Sequence, residues 1–409
     1  MSVHVQGSAA SAGGIGPGSR VRRAHIGVMT AFIAAGLAFA GLASRIPDVR
    51  ELLDLTPSGL GLLLLAMSSG AVISLPSSGW LAGRIGAARA VLTGAGLLAV
   101  GLVVAGIGTA LPAVWLTAGG LFLVGLGTGT WDVAMNLQGA EVERELGRTV
   151  MPHYHAWFSL GTVVAAGIGA FADWARVPVV VHLGLTALVT VGAAAAAGRR
   201  FLPAPQTSEP GRAGETRRNP LAAWLEPRTL LVGVVVLAAA FTEGTANDWL
   251  SVAITDGYRT ESWVGVLGFA AFVSAMTVGR VLGTGWLDRH GRVPVLWAAF
   301  ALATAGALLV IFGTALGLVA AFVGALLWGL GASLGFPVGM SAAADDPRHA
   351  AARVSVVASI GYLAFLAGPP LLGFLGDHVG VLYALMAVVA LTIPALAVVP
   401  ATRPLPADR

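Results

Sequence analysis

The chain has no cysteine and no lysine, and only 11% of its 409 residues are charged. Without cysteine it can form no disulfide, thiolate metal site or thiol nucleophile. Without lysine it has neither the lysine of a phosphate-binding loop nor a Schiff-base lysine. Soluble proteins need roughly 25% charged residues to cover their surface. The composition therefore excludes an ordinary soluble globular protein.

Apolar residues take the place of the missing charge. Hydrophobic residues make up 56% of the chain, and the mean hydropathy is +0.82. If each apolar run of about 20 residues spans a bilayer, twelve spans need on the order of 240 residues, close to the hydrophobic content present. The sequence therefore predicts an all-α membrane protein with twelve transmembrane helices.

One long polar segment, rich in Pro, Gly, Ser, Glu and Arg, divides the spans into two groups of six. Such a composition is typical of a linker. We expect a disordered cytoplasmic tail at 1–23, a six-helix bundle at 24–198, a cytoplasmic linker at 199–227, a second six-helix bundle at 228–400 and a cytoplasmic tail at 401–409.

The placement of arginine predicts the orientation in the membrane. Arg84, Arg199 and Arg289 fall on the side of the N-terminal arginine cluster, whereas the opposite loops hold acids such as Asp54 and Asp173. By the positive-inside rule, both termini of this multi-pass protein are expected on the cytoplasmic side of the cell membrane. The pI near 10.3 does not indicate nucleic-acid binding, because a net charge of +4 is scattered between apolar runs.

The two halves of the sequence repeat. Segment 131–136 aligns with 336–341, and segment 83–87 aligns with 288–292, both at an offset of 205 residues. Duplicated units of this kind enclose a central site whose access alternates between the two sides of the membrane. The repeat therefore predicts two pseudo-symmetric six-helix bundles.

Two loop segments resemble a known family signature. Segments 79–86 (GWLAGRIG) and 288–292 (DRHGR) resemble the G-x-x-x-D-R-x-G-R loop of the major facilitator superfamily, although Gly83 replaces the acid of the first copy and Thr284 the leading glycine of the second. Within the superfamily the YbjJ-like and MosC-like branch is similar, and fucose permeases more distantly, in these runs: 129–139, 155–161 and 335–339. The resemblance implies the major facilitator fold, with spans one, four, seven and ten lining a central cavity.

Ionisable groups inside apolar spans cost about 2.5 to 3.5 kcal/mol each on insertion scales, and are functional candidates for that reason. Asp132 and Asn136 share one face of span four, and Glu243 and Asn247 have the same spacing in span seven. The resemblance implies that both pairs face substrate. Since burial penalises a charged carboxyl, an acid in a cavity can exchange a proton near neutral pH. We expect Asp132 or Glu243 to couple protons and the asparagines to bind substrate; a structural acid is the alternative.

Other side chains complete the predicted site. His155 begins span five and is expected to relay protons near Asp132, although a histidine satisfied by the helix-end backbone fits equally well. Asp248 is expected at the interface near the outer end of span seven. Small polar solutes favour mixtures of stacking and hydrogen bonding, and four residues are expected to supply them, if they are not lipid anchors or helix contacts: Trp131, Trp157, Ser359 and Tyr362.

The loop signatures predict a conformational lock. Acids favour helix N-termini and arginines favour carbonyl ends, so these loops can tether helix ends. The lock is expected to steady the outward-open state, and to be weaker in the first half because Gly83 has no carboxylate. Its predicted members are Arg84, Asp288, Arg289 and Arg292.

These features predict a secondary active transporter that moves a small polar solute, sugar-like or another metabolite, by proton-coupled alternating access. Proton-coupled drug or metabolite efflux by antiport is the first alternative, and a transport-inactive membrane receptor is the second. No nucleophile, base and orienting group recur at the spacing of an enzyme, and no histidine cluster indicates a metal. We expect a monomer without cofactor or nucleic-acid partner, which interacts with solute, protons and the lipid bilayer.

Overall fold

The computed structural model describes residues 17–148, 150–203, 220–346 and 349–405. Within these residues, twelve helical segments are long and apolar enough to cross a membrane, which confirms the predicted number. Residues 1–16 of the predicted tail, 204–219 of the predicted linker and 406–409 lie outside the described residues.

The first half provides six spans, and the short α2 extends the first of them. The helices are α1 (Pro17–Ala43), α2 (Ile46–Leu52), α3 (Pro57–Ile85), α4 (Ala87–Ala110), α5 (Val114–Leu146), α6 (Met151–Trp174) and α7 (Val179–Gly198). Helix α1 begins well before the predicted start at residue 24, so Arg20, Arg22 and Arg23 lie in its first turns and not in a tail.

The second half repeats the arrangement. Its helices are α8 (Pro227–Tyr258), α9 (Ser262–His290), α10 (Arg292–Phe312), α11 (Leu318–Ala332), α12 (Gly335–Ala343), α13 (Ala350–Val379), α14 (Val381–Ala384) and α15 (Met386–Val398). Short 3₁₀ turns occupy Pro220–Leu225, Gly313–Leu316 and Val399–Thr402. Two spans are interrupted: the tenth between α11 and α12, and the twelfth between α14 and α15.

Two glycines make the matching turns of the repeat. Gly86, with φ of 85°, joins α3 to α4, and Gly291, with φ of 76°, joins α9 to α10. Other L-residues rarely adopt this left-handed region, whereas glycine has no Cβ to clash there. The loop signature therefore includes the backbone freedom that reverses the chain.

Proline explains the interruption of the tenth span. Helix α11 ends at Ala332, and α12 begins at Gly335. Pro337 has no N–H and would clash with the carbonyl four residues earlier, which belongs to Ser333. The break at Ser333 and Leu334 is the consequence, and it leaves the Ser333 carbonyl without its main-chain donor.

Backbones approach closely at several glycines. A Cβ on Gly125 of α5 would lie 1.9 Å from the Met67 carbonyl oxygen of α3. A Cβ on Gly36 of α1 would lie 2.1 Å from the Phe158 oxygen of α6. Membrane helices without a hydrophobic driving force between them gain from such contacts. By contrast, Gly96 has no neighbour within 4 Å.

The packing of the core shows where the halves meet. We call the side of Pro17 and Thr402 the termini side, and the side of Ala43 and Tyr258 the far side. One apolar cluster on the far side joins residues of both halves, such as Leu60 and Trp249. On the termini side the described residues form separate clusters within each half. The halves therefore enclose a cleft that is closed on the far side and open on the termini side.

Candidate functional site

Asp132 and Asn136 lie together on α5, as their spacing predicts. The Asn136 amide nitrogen donates to the Asp132 carboxylate at 3.2 Å and to the Asp132 main-chain oxygen at 2.9 Å. Asp132 is exposed. No basic side chain pairs with it among the described residues. It is therefore a carboxyl in a membrane span with one amide donor and, among the described residues, no counter-ion.

Tyr362 of α13 lies near Asp132 of α5. It lies within electrostatic range of the Asp132 carboxylate, although the two residues belong to different halves. Ser359, three residues before it, is also exposed and donates to the Ser355 carbonyl at 2.8 Å. These groups place hydroxyls from the second half opposite the acid of the first.

Glu243 has a partner that the sequence interpretation missed. Arg280 of α9 donates from one terminal guanidinium nitrogen to both oxygens of Glu243 at 3.0 Å, and its Nε donates to the Ser333 carbonyl at 3.4 Å. The arginine therefore takes up the carbonyl that Pro337 leaves free. It also neutralises Glu243, so that α8, α9 and the break in the tenth span are held together.

The signal for Arg280 was present in the sequence. It lies inside the apolar run predicted for span eight, and an arginine there needs a partner as much as an acid does. His155 of α6 is exposed, packs edge-on against Phe32 at 5.1 Å and lies within electrostatic range of Arg280. His155 makes no hydrogen bond to Asp132. The structure thus brings His155 toward Arg280.

Of the predicted substrate contacts, Trp131 and Asn247 are buried, and Trp157 is partly buried. Trp131 is 1% exposed and lies in the core of the first half against α4. Trp157 packs against the same core. Asn247 is 8% exposed, and its side-chain oxygen has no hydrogen-bond partner among the described residues.

The predicted lock residues behave differently from one another. Arg84 is exposed and stacks on Trp80 of its own helix, with 4.6 Å between the guanidinium carbon and the ring centroid. Asp288 and Arg289 are exposed and make no hydrogen bond or ion pair within the described residues. Arg292 is the one of the four that forms an ion pair among the described residues, with Asp345 at 2.7 Å.

Asp345 is the centre of a polar network on the termini side of the second half. It accepts from Arg292 and, at 2.8 Å, from Arg228 at the start of α8. Beside it, Arg353 of α13 donates to Glu226 at 2.6 Å. The Arg353 hydrogen bonds hold the pKa of the Glu226 carboxyl below its ordinary value. These contacts tie the ends of four helices together.

A cavity of about 210 Å³ lies at the closed end of the cleft. Its lining is mostly apolar and comes largely from α1, α3 and α5, with Tyr362 and Phe365 of α13 completing it. Asp248 also lines it, so this residue is not the interfacial group that the sequence indicated. Because Tyr362 lines this cavity and lies near Asp132, the cavity and Asp132 are neighbours.

Two carboxylates fasten the far side. Asp173, at the end of α6, accepts a hydrogen bond from the Ser262 hydroxyl of α9 at 2.6 Å. Asp377, at the end of α13, accepts from the Ser58 main-chain nitrogen of α3 at 3.2 Å. Arg50 also pairs with Asp256 across the halves. We call the first two contacts the far-side clasps.

Two six-helix bundles around a cleft that is closed at one end, with ionisable side chains inside it, define a membrane transporter. The Major Facilitator Superfamily model matches residues 28–284. The chain belongs to the major facilitator superfamily, and it is a multi-pass membrane transporter of small molecules, not an enzyme.

Relatives support this conclusion along nearly the whole chain. An uncharacterized transporter of Sinorhizobium fredii is 34% identical over 380 residues, which cover 89% of this chain and 96% of that protein. The membrane protein MosC of Rhizobium meliloti is 28% identical, over 88% of this chain and 85% of that protein. The resemblance to the MosC-like branch is thereby confirmed.

Solved structures share the fold. A point mutant of the nucleoside transporter NupG has a TM-score of 0.76 at 12% identity, covering 94% of this chain and 99% of that one. A point mutant of the E. coli fucose:proton symporter FucP has a TM-score of 0.62 at 15% identity, covering 92% of this chain and 98% of that one. At these identities the likeness concerns the fold alone.

Proposed function

We propose that this protein is a secondary active transporter that couples the movement of a small organic solute to that of protons by alternating access. The observation that carries the proposal is Asp132, a carboxyl in a membrane span that opens into a cleft and has no counter-ion among the described residues. Such a group is neutral or charged according to what occupies the cleft. It is therefore suited to carry a proton between the two sides.

Glu243 is less suited to that role than Asp132. Arg280 donates hydrogen bonds to both carboxylate oxygens of Glu243. If Glu243 took up a proton, the charge of Arg280 would be left without its partner. We assign proton transfer to Asp132. We assign Glu243 and Arg280 to a switch that responds to the state of the cleft, because the exposed His155 lies within electrostatic range of Arg280. Asn136, Tyr362 and Ser359 are the polar groups available to solute beside it.

The orientation proposed for this transporter puts both termini in the cytoplasm and the protein in the cytoplasmic membrane, as the arginine distribution favours. The cleft is then open to the cytoplasm. The exposed Asp288 and Arg289 accord with this state, because a lock that steadies the outward-open state is released when the cleft opens inward.

Efflux by antiport remains a second candidate, because the closed end of the cleft is apolar. A sugar presents hydroxyls over its whole surface and would leave them unpaired against this lining. A solute that has both an apolar part and a polar group fits the cavity and the polar rim together.

Proteoliposomes with a pH-sensitive dye inside test the coupling. The purified protein is first screened for thermal stabilisation with sugars, nucleosides, polyols, amines and antibiotics. Stabilising compounds are then added to the liposomes. We expect protons to cross the membrane together with the transport of these compounds. The direction of the pH change distinguishes symport from antiport.

The Asp132→Asn variant should lose solute-driven proton movement and keep solute exchange without a gradient. Glu145→Gln is the control, since Glu145 is exposed at the end of α5 and makes no contact among the described residues. If Asp132→Asn retains proton movement, Asp132 is not the coupling group. If no compound moves protons through the wild-type protein, proton coupling is wrong.

A further inference from the structure

Asp248 is an acid in an apolar cavity for which the proposed proton transfer has no use. It lies on α8, five residues beyond Glu243 and on a different face of that helix. Among the described residues it makes no hydrogen bond and no ion pair. An isolated carboxylate in an apolar environment is expensive, so it needs either a proton or a positively charged ligand.

The cavity around Asp248 offers few other polar groups. Thr117 and Thr128 donate their hydroxyl hydrogens to the carbonyls one turn earlier on their own helix, at 3.2 and 2.8 Å. Ser68 and Tyr362 make no hydrogen bond among the described residues and remain available. The lining therefore combines one negative charge and two free hydroxyls with a large apolar surface.

A metal cation does not fit this lining. Calcium takes about six to eight oxygen ligands, and magnesium requires near-octahedral oxygen geometry. Within the described part of the chain, no three histidine or acidic side chains come together to hold a metal. One carboxylate and a few hydroxyls are too few, whereas an ammonium group is satisfied by a carboxylate and two acceptors.

The volume limits the size of the apolar body. An engineered cavity of about 150 Å³ lined by Leu, Ile and Phe binds benzene. The cavity here holds about 210 Å³, which is room for one ring and a short chain. Phe39 and Phe365, which face it from opposite halves, present aromatic surfaces to a flat body.

We propose that this cavity binds a singly charged organic amine with one ring-sized apolar body, and that Asp248 is the counter-ion that selects for the positive charge. The inference rests on the proposed transport function, because it names the class of solute. Since the lining residues come from both halves, the amine bridges the bundles on the closed side of the cleft.

Protonated phenethylamine is the probe, and two molecules of similar shape are its controls: neutral 2-phenylethanol and the anion 3-phenylpropanoate. Binding to the purified protein in lipid nanodiscs is measured at pH 7 by calorimetry and by thermal stabilisation. We expect phenethylamine to bind more tightly than either control. Equal or tighter binding of the alcohol overturns selection by charge.

Two variants and one control locate the site. Asp248→Asn keeps the shape and removes the charge, and it should weaken phenethylamine about 10- to 100-fold, as the loss of a charged hydrogen bond predicts, while 2-phenylethanol is little affected. Ser68→Leu fills the cavity and should weaken both molecules. Glu145→Gln should change neither. Unaltered affinity in Asp248→Asn or in Ser68→Leu overturns the assignment to this cavity.

The binding assay is independent of transport. Size-exclusion profiles and helical circular dichroism establish that each variant is folded. If Asp248→Asn is not folded, it is replaced by Asp248→Glu. That variant keeps the charge and should keep the preference for amine over alcohol. Loss of that preference in folded Asp248→Glu counts against the assignment. If amines bind but drive no proton movement in liposomes, the cavity assignment stands and the proposed coupling fails.

Discussion

Asp173 and Ser262 join the two halves of the molecule on the far side, and the contact has a symmetric counterpart. Asp377 lies 204 residues after Asp173, and Ser262 lies 204 residues after Ser58. Each carboxylate sits at the end of a span and contacts the N-terminus of a helix in the other half, where the exposed N–H groups favour negative charge. The duplication has thus produced one clasp per half.

The clasps differ in the donor, which gives a matched pair of variants. Ser262→Ala removes the hydroxyl donor of its clasp, whereas Ser58→Ala keeps the main-chain donor. We expect Ser262→Ala to weaken far-side closure by about 0.5 to 1 kcal/mol, a roughly two- to fivefold change in the open population. Ser58→Ala should have little effect.

Spin labels measure that population. Leu111 and Leu316 are exposed on the far side of opposite halves, and because the chain has no cysteine, a Leu111→Cys and Leu316→Cys pair labels without background. A larger shift in the distance distribution for Ser58→Ala than for Ser262→Ala would contradict the assigned donors.

The Glu243 and Arg280 pair should be more costly to break on one side than to remove. Arg280→Gln leaves a carboxylate without its partner, and we expect destabilisation of roughly 1 to 3 kcal/mol, reduced from a fully buried pair because both side chains are partly exposed. Glu243→Gln combined with Arg280→Gln should recover part of the loss. Melting temperatures in nanodiscs give the comparison, and additive losses in the double variant would show that the pair is not coupled.

Gly125 and Gly96 test close helix packing. Gly125→Ala would place a Cβ against the Met67 carbonyl, and since backbone cannot yield as a flexible side chain does, we expect destabilisation of about 1 to 3 kcal/mol. Gly96→Ala meets nothing and should be neutral or stabilising through helix propensity. Thermal unfolding of both variants, with purification yield as a second readout, checks the difference. Equal losses would mean that α3 and α5 are further apart than described.

Glu226 predicts a pH dependence of stability. Its pKa is lowered in the folded protein by the Arg353 hydrogen bonds, so its contribution is present above the ordinary glutamate value of about 4.3 and is lost as pH falls through the folded value. Glu226→Gln should therefore melt below the wild type at pH 7, and the two curves should converge as pH falls below about 4. A difference that persists or grows in acid would contradict the sign.

Much of the fold was predictable because bilayer thickness fixes the length of each apolar run. The twelve spans, the repeat at 205 residues and the shared face of Asp132 and Asn136 follow from length, offset and helical period. The break in the tenth span could also have been predicted, because a proline at position 337 leaves the carbonyl of Ser333 without a main-chain donor.

The contacts between spans were not predictable in the same way. Arg280 was not predicted because its partner Glu243 lies on another helix, and the distance between the two depends on how α8 packs on α9. Trp131 was placed toward solute because its neighbour Asp132 faces the cleft, yet adjacent helical residues point about 100° apart. The position of Asp248 in a cavity could not be predicted, because residues of both halves form the lining of that cavity.

The proline at position 337 has no equal in the first half. The matching residue at the repeat offset is Asp132, where α5 runs without a break. No change of conformation can give Pro337 an amide hydrogen, so the tenth span keeps a permanent joint between α11 and α12, whereas the fourth span is a continuous rod. Duplication thus made two bundles of one architecture, of which one has a joint in its tenth span and the other has Asp132 at the matching position of an unbroken span. During a transport cycle the tenth span can therefore bend at this joint, whereas the fourth span, which has no internal proline, moves as one rod.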